Sequence, residues 1–227
     1  MPTVMITGAS RGLGLEFVRQ YAAQDWCVIA TCRTPADADA LAEVKGTVEV
    51  HPLDVADHAT IEVLAKVLDG QAIDLLINNA GIYGPRPGDL GAIDYHAWGK
   101  VVEVNVMGPL KVAELFTEHV ARSGLKLMVA ISSRRGSIAD NDSGGAYIYR
   151  SSKAALNAVM KSLSVDLKAR GIAVVAFHPG WVATDMGGAG AALDAPESVT
   201  AMVKAIAALG PEDGGRFINY DGTEVPW

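Results

Sequence analysis

The sequence is poor in cysteine and contains no long apolar run. Its two cysteines, Cys27 and Cys32, lie in one strand-like segment without a histidine pair at metal-ligand spacing, so we predict structural burial for both and no metal site. No run approaches the roughly 20 apolar residues that a membrane-spanning helix needs. Since Met1 leads directly into a strand-like segment, we expect no signal peptide, no membrane contact and a cytoplasmic location.

Positive charge is also scarce. Nineteen lysines and arginines stand against 26 acidic residues, which gives a formal net charge of −7. This excess of acid argues against nucleic acid as a partner, although it leaves room for a local basic pocket that binds a phosphate. The composition therefore favours a small molecule as the ligand.

Half of the 227 residues are hydrophobic, which is enough to bury a large core within one domain. Strand-like apolar runs alternate with helical patterns along the whole chain, without a repeat or a linker. This alternation predicts an α/β, Rossmann-type doubly wound fold in one domain, with a mostly parallel sheet and helices on both faces. The predicted strands lie at 3–6, 26–33, 48–53, 74–77, 125–131, 172–177 and 216–218, and the main helices at 57–68, 98–122, 147–170 and 196–209.

The first predicted strand runs into the glycine-rich sequence TGASRGLG at residues 7–14, and a helical pattern follows. Glycines let the backbone approach a pyrophosphate closely, and the helix behind them offers free amide groups and a positive dipole end. An ordinary tight turn is the alternative. The order strand, glycine turn, helix favours a dinucleotide site.

The second predicted strand ends in Arg33, where a dinucleotide fold places the group that meets the adenosine ribose. An acidic residue there would favour an unphosphorylated ribose, but Asp37 comes only after Pro35. A 2′-phosphate would meet the Arg33 cation, and Arg11 could add a second one. We therefore predict NADP(H) in preference to NAD(H), with two solvated surface arginines as the alternative.

Polar residues follow three further strands at the sheet edge that faces the ligand crevice in a parallel fold. Asp54 and Val55 follow the third strand, Asn-Asn-Ala-Gly follows the fourth at residues 78–81, and Ser132 and Ser133 follow the fifth. Asn105 interrupts a long helical pattern, and a buried asparagine there needs partners. It either repairs a local break in the helix or also holds a water for proton transfer.

Tyr149 and Lys153 are four residues apart in a helical pattern and so share one helix face. An ammonium beside a phenol stabilises the phenolate and lowers the pKa of the tyrosine from about 10. The pair predicts a usable acid or base; an exposed tyrosine beside a solvated lysine is the alternative. His178, after the sixth strand, is predicted to be a satisfied structural histidine.

Four motifs now stand in one order: the glycine turn, Asn-Asn-Ala-Gly, Ser133 with Tyr149 and Lys153, and Pro179-Gly180 with Thr184. With them the chain resembles, over essentially its whole length, the classical short-chain dehydrogenase/reductase family. Residues 145–153 and 219–222, with Trp227, are similar to the branch of sniffer-type carbonyl reductases and C-factor proteins. The resemblance implies a single NAD(P)-binding domain over residues 1–227.

The resemblance also implies roles for individual residues. Tyr149 would donate a proton to the substrate oxygen, while Lys153 would lower its pKa and bind the nicotinamide ribose. Ser133 would hold the substrate carbonyl, and Asn105 would anchor a water that links Lys153 to solvent. The implied cofactor contacts are Gly8, Ser10, Arg11, Gly12 and Leu13 at the pyrophosphate, Arg33 at the 2′-phosphate, Asp54 and Val55 at the adenine, Asn78, Asn79, Ala80 and Gly81 on the adenosine side, and Pro179, Gly180, Val182 and Thr184 around the nicotinamide, together with Tyr149 and Lys153.

Two departures from the family pattern bear on the substrate. Sixteen positions separate Ser133 from Tyr149, a few more than in most classical members, so Ser132 and Ser137 remain alternatives for the serine. The segment after Met186 is short, which predicts an open pocket for hydrophobic ketones or aldehydes. The apolar residues predicted to line it are Ile138, Tyr147, Trp181 and Met186.

The residues together favour an NADPH-dependent reductase of ketones or aldehydes. An NAD-dependent alcohol dehydrogenase, against which Arg33 argues, and a nucleotide-binding signalling or sensor protein of the C-factor type are the alternatives. Similar proteins often pair through the helices predicted at 98–122 and 147–170, so we expect a homodimer or homotetramer. The expected partners are a small carbonyl substrate and further copies of the chain.

Overall fold

A computed structural model of the chain describes residues 1–86, 90–188 and 190–227 and contains one seven-stranded sheet. The strand order is β3-β2-β1-β4-β5-β6-β7, and every neighbouring pair is parallel. This order is that of a doubly wound Rossmann fold with one added strand, and it confirms the predicted fold class. The strands are β1 (Thr3–Thr7), β2 (Cys27–Cys32), β3 (Val48–Pro52), β4 (Leu75–Asn78), β5 (Leu127–Ile131), β6 (Ala173–His178) and β7 (Phe217–Asn219).

In the described part of the chain, seven α-helices connect the strands: α1 (Gly12–Ala22), α2 (Asp39–Ala42), α3 (His58–Val67), α4 (Tyr95–Val102), α5 (Gly108–Ala121), α6 (Tyr147–Leu167) and α7 (Ala195–Ala207). The long helix predicted at 98–122 begins earlier, at Tyr95, because the Asp94 side chain caps it by accepting from the Ala97 amide at 2.9 Å. A π-helical turn at Glu103–Met107 divides it into α4 and α5. Asn105 lies within this turn.

Alternate residues of the buried strands face two separate cores, as the period of a strand requires. On one face, Val4 and Ile6 pack with residues of α1 and α7, including Phe17 and Met202. On the other face, Met5 packs with residues of α3, α5 and α6. Burial on both faces explains why the strands consist of nearly continuous apolar residues.

The strand order reverses at β1, which lies between β2 and β4. The chain therefore leaves β1 towards one face of the sheet and β4 towards the other, which opens a crevice at the carboxyl ends of these strands. The glycine turn follows β1, and the segment that contains Ser133 follows β5. No described helix is long and apolar enough to cross a membrane.

Candidate active site

The glycine turn places the start of α1 at the crevice. Gly8 and Gly12 have left-handed backbones, with φ of +67° and +55°. A Cβ atom on Gly8 would lie 2.9 Å from the Cα of Ala80, so only a glycine fits there. Arg11 precedes the helix without a side-chain cap, and no acidic residue occupies the first turn of α1. The first amide groups of the helix are therefore available to an anion, and the turn fits a pyrophosphate.

Asn79 holds the glycine turn against the end of β4. Its side-chain amide donates to the carbonyl oxygens of Thr7 at 2.9 Å and Gly8 at 3.1 Å. The Thr7 hydroxyl accepts in return from the backbone amides of Asn79 and Ala80 at 3.0 and 3.1 Å. The structure thus gives the Asn79 amide group a part in shaping the turn. The neighbouring Asn78 is buried and donates to the Pro109 carbonyl at 3.5 Å.

The predicted adenosine end of the crevice lies beyond β2 and β3. Arg33 follows β2 directly and is exposed, while Asp54 follows β3 and accepts from the Ala56 amide at 3.0 Å. Val55 is buried against Gly108 at the start of α5. The Arg11 guanidinium pairs with Asp185, after β6, at 3.1 Å. Arg11 is therefore already paired with a carboxylate.

Tyr149 and Lys153 lie on the buried face of α6. The Lys153 ammonium donates to the Ile131 carbonyl at 2.8 Å and lies 5.8 Å from the centre of the Tyr149 ring. This ring stacks on Tyr83 with 4.5 Å between the ring centres. The Tyr149 hydroxyl points towards the sulfur of Met186, 3.9 Å away. The hydroxyl thus faces the segment that follows β6.

Burial favours the neutral form of both groups and therefore shifts their pKa values in opposite directions. It raises the pKa of Tyr149 to about 12, although a hydrogen bond with Ser133 and the positive charge of Arg135 act in the opposite direction. Burial lowers the pKa of Lys153 to about 8. The sequence predicted that Lys153 lowers the pKa of Tyr149. In the structure the loss of water around the phenol outweighs such an effect, and the ammonium is bound to the Ile131 carbonyl.

The structure separates the three candidate serines. Ser133 starts a short 3₁₀ turn at Arg134–Gly136, its hydroxyl accepts from the Arg135 amide at 3.2 Å, and it acts on Tyr149 by lowering the pKa of the phenol. Ser132 donates to the Asn157 side chain at 2.5 Å, and Ser137 donates to the Trp227 backbone oxygen at 3.2 Å. Of the three serines, Ser133 is therefore the one that the structure links to the Tyr149 hydroxyl.

Asn105 connects the π-helical turn to the segment after β4. Its amide nitrogen donates to the Ile82 carbonyl and its amide oxygen accepts from the Ile82 amide, both at 2.8 Å. A third bond, of 3.0 Å, reaches the Ser152 hydroxyl on α6. The predicted helix break is present, but the Asn105 side chain stabilises a neighbouring segment. A Cβ atom on Gly81 would lie 3.3 Å from the Asn105 oxygen and 3.6 Å from the Lys153 nitrogen, so the three residues converge.

Part of this site lines an open cavity of about 720 Å³, a usual size for a small-molecule site, whereas Arg33, Asn105 and Lys153 are not in its lining. Predicted site residues that line it are Leu13, Ser133, Tyr149, Pro179, Gly180, Val182 and Thr184. A second depression, of about 520 Å³ between α3 and α5, is lined by none of the predicted site residues. No three His, Cys, Asp or Glu residues in the described ranges are grouped so that they could hold a metal ion.

Two of the four residues predicted to line the substrate pocket do so, namely Trp181 and Met186. Ile138 and Tyr147 are instead 80% and 40% exposed and lie outside the lining. The backbone of Ile138 is fixed by a 3.2 Å bond to the Trp227 oxygen. His178 also lines the cavity, and burial, followed by the charge of Arg134, lowers its pKa to about 4. Its Nδ1 atom is buried and has no hydrogen-bond partner among the described residues. The structure therefore differs at this atom from the prediction of a fully hydrogen-bonded histidine.

A contact between the two rims of the cavity was not predicted from the sequence. The Arg86 guanidinium lies 4.2 Å from the centre of the Tyr83 ring and donates to the Met186 carbonyl at 2.7 Å. Tyr83 is thereby held between Arg86 and Tyr149. The only signal in the sequence was a tyrosine and an arginine three residues apart, directly after the Asn-Asn-Ala-Gly motif.

Comparison with known proteins agrees with this geometry. Residues 2–192 match the sequence model of the short chain dehydrogenase family. The C-signal protein of Myxococcus xanthus is 47% identical over 155 residues, which cover 68% of this chain and 93% of that protein. The carbonyl reductase Sniffer of D. melanogaster superposes with a TM-score of 0.92 at 34% identity, with all of both chains covered. An NADPH-bound carbonyl reductase from chicken fatty liver superposes with a TM-score of 0.91 at 34% identity, covering 100% of this chain and 99% of that one.

Proposed function

Because this chain belongs to the short-chain dehydrogenase/reductase family of oxidoreductases, we propose that it is an NADPH-dependent reductase of ketones or aldehydes. The observation that carries the proposal is a buried Tyr149 that faces the cavity beside Ser133. Reduction of a carbonyl needs a proton donor at the oxygen atom, and a phenol with a pKa of about 12 keeps its proton at neutral pH. The Sniffer protein and the chicken liver protein, both similar over the whole chain, are carbonyl reductases.

In this proposal a nicotinamide dinucleotide lies along the crevice at the carboxyl ends of the strands. The glycine turn and the start of α1 would bind the pyrophosphate, and Arg33 and Asp54 would meet the adenosine end. Lys153 and the segment after β6 would hold the nicotinamide end, where the left-handed Gly180, with φ of +83°, turns the chain beside the cavity. When bound, the cofactor supplies the hydride.

The residues of the chain then provide orientation and a proton. The Ser133 hydroxyl holds the substrate oxygen near the Tyr149 hydroxyl, and Tyr149 donates its proton as negative charge develops on that oxygen. Lys153 places a cation behind the phenol, and Asn105 fixes the segment after β4 against α6, next to Lys153. The proposal includes a water held at Asn105 that returns the proton from solvent to Lys153.

The assay that tests this function follows the absorbance of the reduced nicotinamide with aromatic ketones, diketones, quinones and aldehydes. We expect turnover with NADPH. Tight binding of NADPH without turnover of any compound would contradict the reductase and favour a sensor role, for which the similarity to C-signal is the supporting observation. Faster turnover of alcohols with NAD⁺ would instead favour the dehydrogenase. The proposal includes a cytoplasmic location and assembly into a homodimer or homotetramer. Analytical ultracentrifugation tests the assembly by measuring the molar mass of the protein in solution.

Replacing Arg33 by alanine should raise the KM for NADPH about 10-fold and leave the KM for NADH within about twofold, since an exposed guanidinium that meets a phosphate contributes a charge-assisted hydrogen bond. Steady-state kinetics with both cofactors measures this. Arg19→Ala, which removes an exposed arginine of α1 that pairs with Glu16, is the control. A wild-type KM lower for NADH than for NADPH would contradict the cofactor preference.

Ser133→Ala should lower kcat by about 100-fold, because the substrate oxygen loses a hydroxyl that stabilises it in the transition state. Ser137→Ala serves as the matched control and should retain wild-type kcat, since its hydroxyl is bound to the Trp227 oxygen. The same assay with purified proteins of equal thermal stability separates the two. Loss of turnover in Ser137→Ala together with full activity in Ser133→Ala would reverse the assignment.

A further inference from the structure

The lining of the cavity is basic although the chain as a whole is acidic. Four arginines line the cavity, Arg86, Arg134, Arg135 and Arg150, whereas Asp140 is the only acidic residue in the described lining. The formal net charge of the whole chain is −7. A cluster of one sign that opposes the overall charge concentrates a ligand of the opposite sign at the cavity.

The four arginines differ in what they already bind. Arg86 donates to the Met186 carbonyl, and Arg150 donates to the Gly144 carbonyl at 3.2 Å and the Ser143 hydroxyl at 2.8 Å. Arg134 lies 3.5 Å from the carboxylate of Asp140. Among the described residues, the Arg135 guanidinium forms no hydrogen bond or ion pair. Its planar group is thus available to a ligand.

Arg135 is also close to the reacting groups. Its backbone amide donates to the Ser133 hydroxyl at 3.2 Å, and its charge acts on the Tyr149 phenol. The groups proposed for the cofactor phosphates, the glycine turn and Arg33, follow β1 and β2, whereas Arg135 follows β5. An anion at Arg135 would therefore belong to the substrate rather than to the cofactor.

We propose that the substrate is a carbonyl compound that carries an anionic group, a carboxylate or another oxyanion, and that Arg135 binds this group. The proposal rests on the reductase function. A guanidinium can bind a carboxylate through two parallel hydrogen bonds, and Arg134, its neighbour in the chain, also lines the cavity and adds positive charge. Arg135 is then a specificity-determining residue, and hydride transfer to the carbonyl carbon remains unchanged.

The test compares 4-formylbenzoate with its neutral methyl ester, which presents the same aldehyde on the same ring. We expect kcat/KM to be at least about 10-fold higher for the carboxylate, mainly through a lower KM, and the difference to shrink at high salt. The ester is the more electrophilic aldehyde, so intrinsic reactivity works against this result. 4-Formylbenzenesulfonate distinguishes a carboxylate site from a general oxyanion site.

Arg135→Gln should lower kcat/KM for 4-formylbenzoate about 10-fold or more and leave the ester within about twofold, because Tyr149 stays protonated. Arg170→Gln removes the same charge from a surface pair with Glu118 and should change neither substrate. The proposal would be overturned by equal kcat/KM values for the acid and the ester, or by an Arg135→Gln effect that is confined to the KM of NADPH. In either case, reduction of the ester would still support the reductase function. If no aldehyde is reduced, calorimetry measures the binding of 4-formylbenzoate to the wild type and to Arg135→Gln. The absence of binding, or equal binding by the two proteins, would overturn the proposed role of Arg135.

Discussion

Replacing Tyr149 by phenylalanine should lower kcat for carbonyl reduction by about 10²- to 10⁴-fold, the usual contribution of a positioned general acid. The substitution removes one hydroxyl and keeps the ring, so the stack on Tyr83 and the fold of α6 are preserved. The dissociation constant of NADPH should change by less than about threefold. Steady-state kinetics gives the first value, and fluorescence titration with NADPH gives the second.

Tyr147→Phe is the matched control for this substitution. Tyr147 begins the same helix and is 40% exposed, outside the cavity lining, so removal of its hydroxyl should leave kcat unchanged. Full activity of Tyr149→Phe would contradict its role as the proton donor. Loss of NADPH binding in Tyr149→Phe would show that the phenol holds the cofactor, and the fall in kcat could then not be assigned to proton transfer.

The sequence predicted the fold well because the strands and the sheet are encoded locally. Runs such as Val4 to Ile6 are apolar throughout, and the glycines between such a run and a helical pattern allow few other turns. The helix boundaries were less accurate. The start of α4 at Tyr95 depends on the Asp94 cap, and the π-helical turn depends on Asn105 bonding to Ile82, 23 positions away in the chain. The Asp94 cap lies next to the helix in the sequence and could have been predicted, whereas the bonding of Asn105 to Ile82 lies outside any local window.

The placement of the site residues was predictable where a motif fixes the backbone. The residues that line the cavity on both sides, Ser133 with Tyr149 and Val182 with Thr184, come from motifs of this kind. The pKa of Tyr149 was not predictable, because its direction depends on how much water the surrounding segments exclude. Spacing to Lys153 predicts an attraction but gives no information about burial.

The basic lining of the cavity could not be predicted for a related reason. Its members come from the segments after β4 and β5 and from the start of α6, and only Arg134 and Arg135 are neighbours in the chain. Ile138 is a residue that was predicted to line the cavity but does not. That prediction was based on its apolar character alone. The bonds of Ile138 and Ala139 to the Trp227 oxygen hold this segment at the carboxyl terminus instead.

Gly14 links the proposed cofactor site to the stability of the fold. It lies in the first turn of α1, where a Cβ atom would be 2.6 Å from the Asn79 amide nitrogen and would also strike the Gly8 carbonyl oxygen. Neither group can move freely, because the Asn79 amide donates to that oxygen and to the Thr7 carbonyl. An added methyl group must therefore push α1 away from the end of β4.

Gly14→Ala should lower the free energy of unfolding by about 3 kcal/mol, the upper part of the range for overpacking, and abolish stabilisation by NADPH because the pyrophosphate turn is displaced. Gly99→Ala is the matched control: it also lies in a helix, but nothing is within 4 Å of its added Cβ, so it should stabilise the chain by about 0.5 kcal/mol. Urea unfolding with and without NADPH measures both. A Gly14→Ala protein that unfolds like the wild type would contradict the predicted clash, and a destabilised protein that still gains the full stabilisation from NADPH would show that the turn is not the cofactor site.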